Sequence, residues 1–262
     1  MELGADLIAW LVAAAFIAGM IDAVAGGGGL ITIPALLAAG VPPVAALATN
    51  KLQATLGTAG AVLAFARKGH IDFKQFAVPT LAALVGSALG AFLLTQIDPG
   101  FLAGVLPVLL IAMAVYFLTA PRMSDEDRRS RGGPILLFAT ALIIGGYDGF
   151  FGPGTGSFFT TALVAVFGFG LIRAVAHAKL LNLASNLAGL VVLMWGGHVL
   201  WLLGLSMAAA SIAGGQLGAY GAMRYGAGAA RPMLIIMSLA LTAKLLWDPA
   251  NPLTAAVLAW LA

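Results

Sequence analysis

Two lysines, two aspartates and two glycine-rich runs are the residues of this sequence whose types and spacing could do chemistry. Lys51 and Lys179 each stand in a long apolar stretch, where a charge is costly and is either functional or paired. Lys51, Thr55 and Thr58 fall at i, i+4 and i+7, and Lys179, Asn182 and Asn186 at i, i+3 and i+7. Each set shares one helical face, so each lysine heads a polar stripe. Asn50, Gln53, His177 and Ser185 widen the set. Two such lysines could neutralise a small dianion. They could equally pair with Asp22 and Asp148, or snorkel to an interface. Those aspartates could carry protons or cations, or serve only as partners for the lysines. His177 could titrate near neutral pH or be a hydrogen-bonded packing residue.

The glycine runs lie at Gly26–Gly29 and Gly152–Gly156, each inside an apolar region. Glycine costs about 1 kcal/mol relative to alanine in a helix interior, so four in succession predict unwound backbone. At membrane depth such backbone is tolerated only where it is buried in protein or lines a cavity. The free N–H groups of Gly27, Gly28 and Gly29, and of Gly154 and Gly156, would then form an anion site at the start of a following half-helix, to which Thr155 and Ser157 could add hydroxyl donors. Close helix packing or a tight turn is the other reading. Gly152 to Gly156 looks only superficially like a nucleotide loop, because no lysine of the required kind follows.

The elements that must hold these groups are set by composition. Of 262 residues, 61% are hydrophobic and 9% charged, with a mean hydropathy of +1.04. Soluble domains carry about 25% charged residues, so the chain must be solvated by lipid. That excludes a soluble enzyme, a nucleic-acid-binding domain and a disordered protein. The net charge is only +3 despite a pI near 9.5. There is no cysteine, hence no disulfide framework, thiol nucleophile or cysteine-ligated metal. Three dispersed histidines make a weak metal signal, and no cofactor is implied. No H-E-x-x-H or G-x-S-x-G occurs, so no enzyme is expected.

A span needs about 20 apolar residues. Candidates are 7–25, 44–66, 75–97, 101–120, 134–151, 171–195, 200–223 and 231–247, with shorter pieces at 30–39, 155–168 and 253–262. The runs are continuous, without strand-like alternation. The fold class is therefore all-α, a polytopic transmembrane helical bundle. Met1 to Asp6 holds two acids and no base, so no cleavable signal is expected. Residues 1–120 and 134–262 form two units joined by a polar connector at 121–133. Ten of the thirteen Lys and Arg residues, among them Arg67, Lys68, Lys74, Arg128, Arg173 and Arg224, fall in four loops, and the alternate connections hold none. Positive charge marks the cytoplasmic side, which puts the connector inside and the N-terminus outside.

The halves repeat. Asp22 matches Asp148 and Gly28 matches Gly154 at a spacing of 126. Two residues later in register, Lys51 matches Lys179, Gly69-His70 matches Gly197-His198, and Gly86 and Gly90 match Gly214 and Gly218, all at 128. The loop at 67–74 is basic and its counterpart at 196–200 is not, so the repeats are expected to be inverted. That organisation is a hallmark of secondary transporters, with the site at the repeat interface. The G-x-x-x-G pairs permit close helix contact, and Trp10, Trp195, Trp201, Trp247 and Trp260 read as interfacial anchors.

Gly19-Met20-Ile21-Asp22-Ala23-Val24-Ala25-Gly26-Gly27-Gly28-Gly29-Leu30-Ile31-Thr32-Ile33-Pro34, with Ala48-Thr49-Asn50-Lys51-Leu52-Gln53, resembles the first signature of the TauE/SafE family of sulfite exporters. Tyr147-Asp148-Gly149-Phe150-Phe151-Gly152-Pro153-Gly154-Thr155-Gly156-Ser157 and Ala176-His177-Ala178-Lys179-Leu180-Leu181-Asn182 resemble the second. The resemblance covers nearly the whole chain. It implies a bacterial inner-membrane transporter of a small sulfur-containing anion, sulfite or an organosulfonate. The expected partners are that anion and the bilayer, with no nucleic acid; a homodimer is left open. Gln53 stands opposite Leu181, and Thr49 opposite His177, so the site need not be symmetric. An anion channel, and a cation or metal transporter using Asp22 and Asp148, stand as alternatives. Lys51→Ala and Lys179→Ala are both expected to abolish transport without unfolding the protein.

Overall fold

The computed structural model describes residues 4–25, 27–119, 132–225 and 230–247. Ten helices follow one another: α1 Ala5–Ala25, α2 Gly29–Ala38, α3 Pro43–Arg67, α4 Phe73–Thr95, α5 Pro99–Thr119, α6 Pro134–Phe150, α7 Thr155–Ala165, α8 Leu171–Trp195, α9 Trp201–Tyr225 and α10 Ala230–Trp247. Four of them, α1, α4, α5 and α8, are both long and apolar enough to cross a membrane, among the described residues. Together with the family relationship reported below, this makes the chain a multi-pass membrane protein. Residues 120–131, the terminal piece 253–262, and Gly26 lie outside the described residues.

The second helix of each five is short. The helix α2 has 10 residues and α7 has 11, which at about 1.5 Å per residue reaches roughly half of a 30 Å hydrocarbon core. Each starts at a glycine break. Gly27 has φ +92°, Gly152 +101° and Gly154 +83°, a backbone region that glycine enters without steric cost. The break before α2 is held by Asp22, whose carboxylate accepts the Gly28 N–H at 2.8 Å. The break before α7 is held by two hydroxyls. Tyr147 donates to the Pro153 carbonyl at 2.6 Å, and Thr155 donates to Asp148 at 2.9 Å. These bonds occupy polar groups that lipid could not satisfy. The helix expected over 155–168 stops at Ala165, because the chain turns back through Gly168 at φ +71°.

Two helix pairs make the most extensive contacts, α4 on α6 and α1 on α9. Glycine permits both. A Cβ on Gly86 or Gly90 would collide with the carbonyl oxygens of Leu142 and Gly146, and one on Gly214 or Gly218 with those of Phe16 and Met20. Phe16 and Leu142, like Met20 and Gly146, are 126 apart, and the glycines are 128 apart, so the same contact is built twice. We expect Gly90→Ala to lower the thermal unfolding temperature, since backbone overpacking costs about 1–3 kcal/mol. Gly60→Ala on α3, where a Cβ would meet nothing within 4 Å, should raise it slightly through better helix propensity. A melting series in detergent that ranked the two alike would contradict this packing.

The core lies where α2, α3 and α8 meet the long helices. Leu30, Ile31, Ile33, Leu47, Leu52 and Leu193 cluster there. The outer face of α4 instead exposes Val78, Leu81, Leu89 and Phe92, an apolar surface that suits lipid. Trp195 and Trp247 stand fully out at helix ends, where an aromatic belt would sit.

Candidate functional site

A cavity of about 250 Å³ lies between the two sets of five helices. Both glycine breaks open onto it, through Gly27, Gly28 and Gly29 on one side and Gly152, Gly154, Thr155, Gly156 and Ser157 on the other. The helix α3 contributes Asn50, Gln53, Gly57 and Thr58, and α8 contributes Val175, Lys179, Asn182 and Asn186. Asp22, Thr160 and Ser211 complete its polar wall. The helical spacing explains the two stripes, because residues three and four apart share a face. The cavity runs toward the N-terminal end of α8 and the later turns of α3. That end carries the 69–72 turn, which packs against Arg173 and His177.

The two lysines differ. Lys179 reaches Asp22 at 3.5 Å, and their side chains are 19% and 40% exposed, both in the cavity wall. The lysine and the carboxylate cancel in formal charge, so an anion entering here competes with Asp22 for Lys179. Lys51 does not line the cavity. Its ammonium lies 2.8 Å from the Asp148 carboxylate, with the side chains 2% and 1% exposed. It also donates to the Asp148 carbonyl and, at 3.4 Å, to the Asn186 side chain. Asn186 is the partition, since it faces the cavity and the buried pair at once. Its amide nitrogen donates to the backbone and side-chain oxygens of Asn182, both at 2.8 Å.

His177, expected among the substrate-binding residues, stands outside the cavity lining. Its Nε2 accepts the Asp72 N–H at 3.0 Å, its Nδ1 lies 2.7 Å from the Arg173 carbonyl, and its ring stacks on Phe76 at 3.9 Å. Because Nε2 accepts, Nδ1 carries the proton and donates to Arg173. The imidazole is a tether between α8 and the turn before α4. Thr49 does the same at the other end, accepting the Leu200 N–H at 3.2 Å. His177→Ala is expected to speed amide exchange at Asp72 severalfold, as fits a hydrogen bond worth about 0.5–1.5 kcal/mol, and to leave anion affinity unchanged. Unchanged exchange at Asp72 would refute the tether.

Thr55, on the expected stripe, turns back to its own helix and donates to the Lys51 carbonyl at 2.7 Å. Ser211 was not expected at the site; α9 is mostly apolar, and its two serines, Ser206 and Ser211, stand five apart, off the three-and-four spacing that marks one helical face. Asp22 and Asp148 do not converge, since each is held by a different lysine. Among the described residues no group of three His, Cys, Asp or Glu side chains could hold a metal.

A helical membrane protein whose polar side chains converge on a cavity between two matching sets of helices has the architecture of a membrane transporter. The chain belongs to the TauE/SafE family: the family described as "Sulfite exporter TauE/SafE" matches residues 11–245. A Sinorhizobium protein named "Probable membrane transporter protein ORF9" is 47% identical over 253 residues, covering 96% of this chain and 97% of the relative. A Haemophilus influenzae protein named "Probable membrane transporter protein" is 46% identical over 249 residues, covering 95% and 98%. The Escherichia coli K12 protein "Probable membrane transporter protein YfcA" is 44% identical over 236 residues, covering 89% and 87%. No solved structure matches the chain.

Proposed function

We propose that this transporter exports a small sulfur-containing anion, sulfite or an organosulfonate, from the bacterial cytoplasm across the inner membrane by alternating access. The observation that carries the reading is the cavity itself. One lysine, four amide side chains and two glycine breaks meet there between the halves. The anion would take the Lys179 ammonium and sit against the N-terminal ends of α2 and α7, with Asn50, Gln53 and Asn182 accommodating its remaining oxygens. The end carrying Arg67, Lys68, Lys74 and Arg173 faces the cytoplasm by the positive-inside rule, which places the N-terminus outside and makes the repeats inverted. An anion leaving a negative interior gains about 2.3 kcal/mol per charge per 100 mV, so export needs no coupling ion. Burial of the Lys51–Asp148 pair favours a carrier over a channel, because it closes one end of the path.

The test is thermal stabilisation of the purified protein by sulfite, sulfate, thiosulfate, sulfoacetate, taurine and chloride at fixed ionic strength and pH, followed by flux of the stabilising anion in proteoliposomes. Saturable stabilisation and saturable flux by one sulfur anion support the reading. A response to divalent cations alone would move the function to the aspartates.

A further inference from the structure

We infer that the buried Lys51–Asp148 pair is the outer gate of this transporter, and that Lys179–Asp22 is its counterpart at the other end. The inference rests on the alternating-access reading above. Each half supplies a lysine to the other half's aspartate. Lys51 and Lys179 are 128 apart, Asp22 and Asp148 are 126 apart, and both cross-pairs are formed. They differ in their surroundings: one pair is sealed at 2.8 Å, and the other stands at 3.5 Å in an open cavity wall.

The neighbours of the pairs differ in the same sense. Gly57, Val175 and Ser211 line the cavity beside Lys179 and are all partly exposed. Their counterparts at the spacing of 128 are Ser185, Leu47 and Ala83, which are 0%, 1% and 0% exposed. A second route is therefore drawn in the sequence and closed in this conformation. The end turns agree with this. His177 ties down the Asp72 amide at one end and Thr49 the Leu200 amide at the other, again at spacings of 128. Opening the second route requires Asp148 to release Lys51, with Asn186 passing from partition to wall. Closing the first draws Lys179 and Asp22 together as Lys51 and Asp148 are now.

The chain has no cysteine, so single cysteines report cleanly. Ser211→Cys reads the open end and Ser185→Cys the sealed one, with a membrane-impermeant maleimide applied to right-side-out and inside-out vesicles. With the native pair, Ser211→Cys should react from one face and Ser185→Cys only weakly. In Asp148→Asn, Ser185→Cys should react at least tenfold faster from the opposite face, while Ser211→Cys slows. Should Asp148→Asn fail to fold, Lys51→Gln/Asp148→Asn leaves no unpaired buried charge and is expected to give the same pattern. The gate is overturned if Ser185→Cys stays unreactive in a folded variant, or reacts from the same face as Ser211→Cys. Sulfoacetate flux by the unmodified chain is measured separately. Flux with Ser185 never reached defeats the gate alone, and reciprocal labelling without flux defeats the substrate alone.

Discussion

Lys179→Ala is expected to melt close to the unmodified protein and yet to lose the response to the sulfur anion and its transport. Lys179 is the one lysine in the cavity wall among the described residues, and its bond to Asp22 is long and open to the cavity. Pairs so exposed contribute about 0–1 kcal/mol to stability. Removing one partner from a desolvated charge pair formed on binding costs about 2–5 kcal/mol. At about 1.4 kcal/mol per tenfold, anion affinity should weaken roughly thirtyfold or more. Lys179→Arg keeps the charge and should recover part of the loss. Asp22→Asn removes the competitor for Lys179 and should bind the anion more tightly, provided its amide oxygen still accepts the Gly28 N–H. Unaltered stabilisation of Lys179→Ala by the same anion would remove this cavity from consideration as the binding site.

The helices were legible in the sequence because lipid imposes a simple rule. Continuous apolar runs had to be helical, and the observed bounds fall mostly within a few residues of the expected spans. Both breaks were legible for the opposite reason, since Gly27, Gly152 and Gly154 hold backbone that other residues resist. The spacings of 126 and 128 anticipated which glycines would meet which carbonyls only in part. G-x-x-x-G announces close contact, but not that Gly90 would lie on Gly146. What stayed hidden was the difference between equivalent residues. Lys51 and Lys179 head the same kind of stripe, and one is sealed because its partner Asp148, 97 residues away, closes over it. Which pair is buried depends on tertiary packing, and the residues flanking each lysine do not spell that out. The role of His177 was hidden for another reason. Its partners are the backbone amide of Asp72 and the carbonyl of Arg173, and neither leaves a mark in residue type.

The same asymmetry makes the second large prediction, which departs from the expectation that the two lysine-to-alanine changes behave alike. Lys51→Ala strands the Asp148 carboxylate, whose Oδ2 already has no hydrogen-bond partner among the described residues. Asp148→Ala strands the ammonium, leaving it the Asp148 carbonyl and the Asn186 side chain. Breaking a buried pair from one side costs about 3–5 kcal/mol. At roughly 2–4 °C per kcal/mol for a chain of this size, each should melt about 6–20 °C lower. Asp22→Ala and Lys179→Ala, in the open pair, should fall by only a few degrees. Lys51→Met/Asp148→Leu separates charge from packing, since replacing both members by apolar side chains is often neutral or stabilising. It should therefore recover most of the melting temperature. Transport should not return with it, because an apolar plug lacks the attraction that lets one end close as the other opens. Equal melting of Asp148→Ala and Asp22→Ala would mean that the two pairs are energetically alike and that burial does not distinguish them. Full transport by Lys51→Met/Asp148→Leu would mean that the buried pair serves stability alone.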